Sequence, residues 1–330
     1  MTESYNNREW NSWKWQLRNA VHLQDLPRFF PGSDFSGCED VDALFPVRIT
    51  PYYLRLIQNA SGGGPLRRMV LPDIAELKSG GYSTDPFGEC SDAARCRGVK
   101  QRFPDRILIM TSKSCAANCR HCTRRGLLSD ADIASRPEDL DAAVQYVKSH
   151  PAIREVLLSG GDPLMLPDDE IIRFVDAFSA LDQIDAVRVG SRVPVTLPMR
   201  ITEQLAERLG DCGRVWLNTQ FNHSSEITPE STGACRRLVE AGIPVSNQSV
   251  LLRGVNDSVD VMFELCSGLQ RIRVRPYYVF MCDPIAGIEH FRVPKDQAIY
   301  IQKNLAKRIG GLALPRFVED IPGTPHKMPI

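Results

Sequence analysis

Thr111-Ser-Lys-Ser-Cys115-Ala-Ala-Asn-Cys119-Arg-His-Cys122 follows directly on the apolar run Ile107-Leu-Ile-Met110. The run reads as a strand and the segment after it as a loop. Cysteine spacings of four and three gather three thiolates around that loop. A structural zinc normally takes four ligands, often from two Cys-x-x-Cys units. His121 stands inside the loop, where it is badly placed as a fourth. A cubane [4Fe–4S] cluster normally takes four thiolates. Three leave one iron open, and an open iron can bind a substrate. Three buried structural cysteines are the bland alternative, and this spacing and position argue against it. Cys38, Cys212, Cys235, Cys266 and Cys282 are scattered singles that read as small buried hydrophobes. Cys90 and Cys96, in a polar loop, are a weak exception.

Outward from this loop, short apolar runs alternate with amphipathic stretches. Val156-Leu-Leu158, Ala186-Val-Arg-Val189, Val215-Trp-Leu217, 245–252 and 272–280 read as strands. Helical periodicity covers 137–149, 168–181, 202–209, 229–241, 257–270 and 295–308. Six strand–helix units in a row predict a parallel sheet with right-handed crossovers. Six are fewer than the eight of a closed barrel. The expected fold is therefore α/β, a partial (β/α)6 barrel with its site at the C-terminal ends of the strands. Residues 1–100 read as a mostly helical accessory region and 101–330 as the barrel with a C-terminal segment. Trp10, Trp13 and Leu17 share one face of a helix expected to open the chain.

Composition excludes other classes. The 330 residues are 43% hydrophobic and 24% charged, ordinary for a globular enzyme. Forty Lys+Arg balance forty Asp+Glu, so there is no global electrostatic footprint for nucleic acid or an acidic membrane. No apolar run approaches the roughly 20 residues of a membrane span. The N-terminus shows no basic n-region or apolar h-region. The expectation is a cytoplasmic protein that binds neither nucleic acid nor membrane.

A Cys-x-x-x-Cys-x-x-Cys loop after the first strand of a partial barrel resembles the radical S-adenosylmethionine superfamily. There the open iron is chelated by the amino and carboxylate groups of S-adenosylmethionine. Ser159-Gly-Gly-Asp162, one strand later, resembles the superfamily's Gly-Gly-Glu-like turn for the amino group, with Asp162 in place of the Glu. Glycines there let the backbone approach a ligand. Further motifs occur in order: Cys119-Arg-His-Cys-Thr-Arg-Arg125, Ser191-Arg-Val-Pro-Val195, Leu197-Pro-Met-Arg-Ile-Thr202, Phe221-Asn-His223, 247–257 and Arg275-Pro-Tyr-Tyr278. Together they resemble the lysine 2,3-aminomutase family, from Trp10 to the last residues.

The resemblance implies three cofactors: a [4Fe–4S] cluster on Cys115, Cys119 and Cys122, S-adenosylmethionine, and pyridoxal phosphate. It implies S-adenosylmethionine contacts from Ser159, Gly160, Gly161, Asp162, Ser191 and Gln248. Lys327, in Asp320-Ile-Pro-Gly-Thr-Pro-His-Lys327, matches the cofactor lysine. Composition alone would make it a solvated tail charge. Arg102-Phe-Pro-Asp-Arg106 matches the family's Arg-Tyr-Pro-Asp-Arg, whose arginines bind the pyridoxal phosphate group by bidentate bonds. Phe103 replaces the tyrosine. Arg124 matches the arginine that holds the substrate α-carboxylate, and Asp283 and Asp320 match the aspartates that hold the distal ammonium.

Two carboxylates at one site repel unless a cation lies between them. The expected reaction is thus a 1,2-amino shift in a basic L-amino acid, first of all L-lysine to β-lysine. A 5′-deoxyadenosyl radical takes hydrogen from C3 while the amino nitrogen sits on the cofactor in place of Lys327. Arginine 2,3-aminomutase and the form acting on a lysine of elongation factor P are alternatives, as is a non-catalytic iron–sulfur redox sensor. A glutamate-type mutase should lack the two carboxylates. Longer family members carry a C-terminal extension with zinc-binding cysteines and a partner cysteine where this chain has Ser258, so no structural zinc is expected. A reductant such as flavodoxin or ferredoxin and a possible homo-oligomer complete the expected partners.

Overall fold

Strands β2 (Arg106–Ser112), β3 (Glu155–Gly160), β4 (Ala186–Gly190), β5 (Val215–Thr219), β6 (Val245–Leu251), β7 (Arg275–Met281) and β8 (Arg316–Glu319) run parallel in sequence order. Strand β1 (Val99–Phe103) pairs antiparallel with β2 at one edge, and β9 (Met328–Pro329) antiparallel with β8 at the other. This is a computed structural model that describes residues 7–60, 64–78, 80–89, 96–126, 128, 134–324 and 326–330. The strand order is linear from β1 to β9, an open curved sheet rather than a closed barrel.

The strands form where apolar residues alternate. Val156 and Leu158, Val187 and Val189, and Val215 and Leu217 are at most 4% exposed and face the helical layer. Their neighbours Leu157, Ser159, Arg188, Gly190 and Asn218 line the sheet's interior cavities. Period-two geometry thus places a wet, functional lining on one face and a dry core on the other.

Six helices return the chain between strands: Leu140–Lys148, Asp168–Ser179, Glu203–Gly210, Pro229–Glu240, Val259–Arg271 and Lys295–Leu305. Side chains of Thr202, Thr228 and Ser258 accept the first free backbone N–H groups, at Leu205, Ser231 and Val261. Ser258 therefore serves as a helix cap. On Asp168–Ser179, Ile171, Ile172, Phe174, Val175 and Phe178 are buried. Each such apolar side chain contributes roughly 1.5–3 kcal/mol.

Two expectations change. The seventh parallel strand, β8, was not expected: Arg316-Phe-Val-Glu319 is short and charged at both ends, leaving little alternation to read. The N-terminal tryptophans lie on two helices, Asn7–Trp10 and Trp13–Arg18, not one. Ser12 breaks the run because its side chain caps the second helix at Trp15 N, 3.3 Å away.

The N-terminal helices share one apolar core with the sheet, extending from Trp10 to Phe317. They also reach the cysteine loop. Arg48 O accepts from Asn118 N at 3.0 Å and Met69 O from Arg120 N at 2.8 Å.

Candidate active site

Cys115, Cys119 and Cys122 are free thiols lining one cavity of ≈ 320 Å³ at the C-terminal ends of the strands. Their loop is gripped from below by Glu76, which is fully buried. Arg120 Nη2 lies 2.6 Å and Arg125 Nη2 2.7 Å from Glu76 Oε2. Both guanidinium groups also stand over the Phe45 ring. Arg192, behind the loop, donates to Cys119 Sγ and to Glu226 Oε1, and Tyr53 Oη donates to the same Glu226 at 2.7 Å. Burial and the neighbouring sulfurs push the Cys115 thiol well above its usual range, and burial pushes Cys122 to about 11. Three thiols on one cavity wall, two of them made reluctant to ionise by burial, would lose their protons readily only to a cation. Among the described residues, no three His, Cys, Asp or Glu converge on a point that could hold one metal ion. A cubane offers each thiolate a different iron, so three free cysteines on one cavity wall suit three of its four irons.

The Gly160-Gly161 turn at the end of β3 abuts the cysteine loop's entry. Gly160 has φ +118°, and a Cβ there would lie 2.4 Å from Ser112 O; at Gly161 it would lie 2.6 Å from Ser114 O. The glycines are required by backbone meeting backbone, with Gly161 N donating to Ser112 O at 2.6 Å. Asp162 is 4% exposed and accepts from Ser191 Oγ (2.7 Å), Arg192 N (2.8 Å) and Leu164 N (3.0 Å). Burial nevertheless raises its carboxyl to about 6. The Val193 backbone N–H also lowers it, so four donors of the chain itself act on this carboxylate. Gln248 lines the same cavity, at a bulge between β6 and β7.

Arg124, Asp283, Asp320 and Lys327 join the cysteines on this cavity. Each charge but one has an internal partner. Arg124 pairs with Glu89, Nε to Oε2 at 3.0 Å. Asp320 takes two hydrogen bonds from Arg102, and Lys327 Nζ lies 3.9 Å from its Oδ2. Asp283 has no ion pair among the described residues. Burial, with Asp320 nearby, pushes its carboxyl up to about 7 against the pull of Arg102, Arg124 and Lys327. Burial lowers the Lys327 amine, aided by Arg188, Arg106 and Arg102 and opposed by Asp320.

Lys327 also lines a second chamber of ≈ 870 Å³ inside the sheet, toward the strands' N-terminal ends. Arg106, Arg188, Arg275, Arg316, Tyr277 and Tyr278 face it. Arg106 lines this chamber while Arg102 pairs with Asp320, and both guanidinium groups stand over the Phe103 ring. Arg188, Arg275 and Arg316 were missed by sequence reading. The alternation Ala186-Val-Arg-Val-Gly190 carried the signal for Arg188, and Arg275 begins a quoted motif. Cys90 lies outside the described residues; Cys96 Sγ contacts Ala142 O at 3.3 Å, away from the cavity.

The Radical SAM superfamily pattern matches residues 109–266, from β2 into the helix before β7. L-lysine 2,3-aminomutase of Clostridium subterminale is 42% identical over 326 residues, 98% of this chain and 78% of that protein. The chain belongs to the lysine 2,3-aminomutase family. Glutamate 2,3-aminomutase of Clostridioides difficile is 34% identical over 98% of this chain and 77% of that protein. Among solved structures, Streptococcus suis SuiB shares the fold with a TM-score of 0.50 at 15% identity, covering 66% of this chain and 50% of that one.

As a member of the lysine 2,3-aminomutase family the chain is an isomerase that uses a [4Fe–4S] cluster, S-adenosylmethionine and pyridoxal phosphate, and acts on an amino acid. The second chamber fits the phosphorylated cofactor: an amine lowered by burial and four arginines line it, Arg188 being paired with Glu155 at 2.6 Å and the other three turned to the chamber beside it. Among the described residues, no helix is long and apolar enough to cross a membrane.

Proposed function

We propose that the enzyme moves the α-amino group of a basic L-amino acid to C3, with L-lysine as substrate and β-lysine as product. The observation that supports it is the shared cavity: the three cysteines, Arg124, Asp283, Asp320 and Lys327 all line it. When bound, the cofactors supply one-electron cleavage of S-adenosylmethionine and a conjugated system that lets nitrogen migrate.

In this reading Cys115, Cys119 and Cys122 hold the cluster. Ser159, Gly160, Gly161, Asp162, Ser191 and Gln248 hold S-adenosylmethionine, with Asp162 also tying the glycine turn to Ser191. Lys327 carries pyridoxal phosphate and Arg106 its phosphate. Arg102 acts on that group and on Asp320 together. Arg124 holds the α-carboxylate, and Asp283 and Asp320 the distal cation. Charge at both ends holds the substrate extended, with C3 toward the cluster side.

A carboxyl at about 7, unpaired and beside a second aspartate, favours a cationic partner and disfavours the anionic end of glutamate. We further propose a cytoplasmic setting and a flavodoxin- or ferredoxin-type reductant. Anaerobic turnover of lysine, arginine, ornithine and glutamate by the reconstituted protein tests the substrate, with loss of the shifted product in Arg124→Ala as the site control.

A further inference from the structure

The loop 80–89 touches the segments that carry Asp283 and Arg124, and the arginine that pairs with Asp320. Ser83 O accepts from Ala286 N at 3.1 Å, three residues beyond Asp283. The Phe87 ring lies 4.2 Å from the guanidinium carbon of Arg102, the partner of Asp320. Glu89 takes Arg124 side-on, with Nε 3.0 Å from Oε2 and Nη2 3.3 Å from Oε1.

Glu89 is 6% exposed and is not on the cavity wall; Arg124 is. Its own N–H donates to Asp85 Oδ1 at 2.9 Å, which fixes the root of the side chain. From the other side, Arg124 Nη1 donates to Ser159 Oγ at 3.3 Å. A guanidinium has five N–H groups in a rigid fork. Glu89 and Ser159 occupy three. Two remain, one on each terminal nitrogen, and a carboxylate entering from the cavity needs two.

We propose that Glu89 is a positioning residue that aims Arg124 at the substrate α-carboxylate. The inference rests on the proposed role of Arg124. Arginine carries a long, rotamer-rich stem whose ordering opposes binding. Glu89 holds that stem before substrate arrives, so the ordering loss falls in the folding of the protein and not in the binding step. It grips the guanidinium from behind, so it does not compete for the open side.

The test uses the holoenzyme with its cluster and cofactors, and reads substrate binding as the absorbance change of the bound pyridoxal phosphate. The probes are the basic amino acid that the wild type turns over, lysine or arginine, and the amide of the same amino acid, which lacks the carboxylate. The wild type prefers the acid. Glu89→Ala weakens binding of the acid about tenfold or more, the scale of a lost charge-assisted hydrogen bond, and leaves the amide unchanged. Glu89→Gln, which keeps one acceptor on Arg124, recovers part of the preference. Equal weakening of acid and amide would show a structural role only and overturn the proposal. So would unchanged or tighter binding of the acid. A wild type that does not distinguish acid from amide refutes the role of Arg124 itself, and the proposal with it.

Discussion

Arg102 lies fork-on to Asp320, with Nη2 2.8 Å from Oδ1 and Nη1 3.3 Å from Oδ2. The pair connects the edge strand β1 to the segment after β8, and so joins an expected phosphate ligand to an expected ammonium ligand. Asp320→Asn leaves Arg102 half-buried without its anion and removes one of two charges proposed for the distal cation. The loss in kcat/KM for a basic substrate is expected to be on the order of 100-fold or more, since breaking one side of a buried charge pair is costly. Cluster iron should be unchanged. Steady-state kinetics beside iron content check this.

Asp283 sets a pH dependence. Its carboxyl, at about 7 in the free protein, faces Asp320, Arg102, Arg124 and Lys327. A cationic substrate end favours the ionised form, so the proton must leave before pairing. Affinity for lysine should therefore fall as pH drops below 7, approaching about tenfold per unit. Asp283→Asn should bind more weakly and lose this slope. A wild-type KM that is flat between pH 6 and 8 contradicts the assignment.

Lys327 should be the residue fixed to pyridoxal phosphate by borohydride, as peptide mapping would show. Arg188 helps keep the amine low and Asp320 opposes this. Arg188→Gln removes a cation, so the pH midpoint for cofactor attachment should rise. Asp320→Asn removes an anion, so the midpoint should fall. Shifts in the same direction would refute the electrostatic account.

Glu76 holds the cysteine loop through Arg120 and Arg125, with no exposed side-chain surface of its own. Glu76→Ala leaves two buried guanidinium groups unpaired, and unfolding free energy should fall by about 3–5 kcal/mol. Denaturant unfolding measures it. Cys235→Ala and Cys266→Ala, at buried thiols far up their titration range, should leave cluster iron unchanged.

The sheet could be read from the sequence because period-two and helical patterns are local. All six predicted helices and six predicted strands appear within a few residues. Strand β8 escaped because four residues carry too little pattern. The cysteine loop and the glycine turn were visible too, since their spacing is local, whereas Lys327, Arg124, Asp283 and Asp320 were proposed only from the family resemblance. The site's pairings were not visible. Arg102 and Asp320 stand 218 residues apart, and Glu89 and Arg124 stand 35 apart. No spacing encodes such contacts; the topology brings them together. The Gly160-Gly161 turn shows a further limit. Its glycines were read as ligand approach, while the contact that forbids a Cβ is the backbone of Ser112 and Ser114.

The central claim is a radical 2,3-amino shift on a basic amino acid. The most direct measurement is anaerobic turnover by the reconstituted wild type, with S-adenosylmethionine, pyridoxal phosphate and a strong reductant, separately on L-lysine, L-arginine, L-ornithine and L-glutamate. The account predicts conversion of lysine to β-lysine and none of glutamate. Conversion of glutamate, with neither lysine nor arginine consumed, would contradict it.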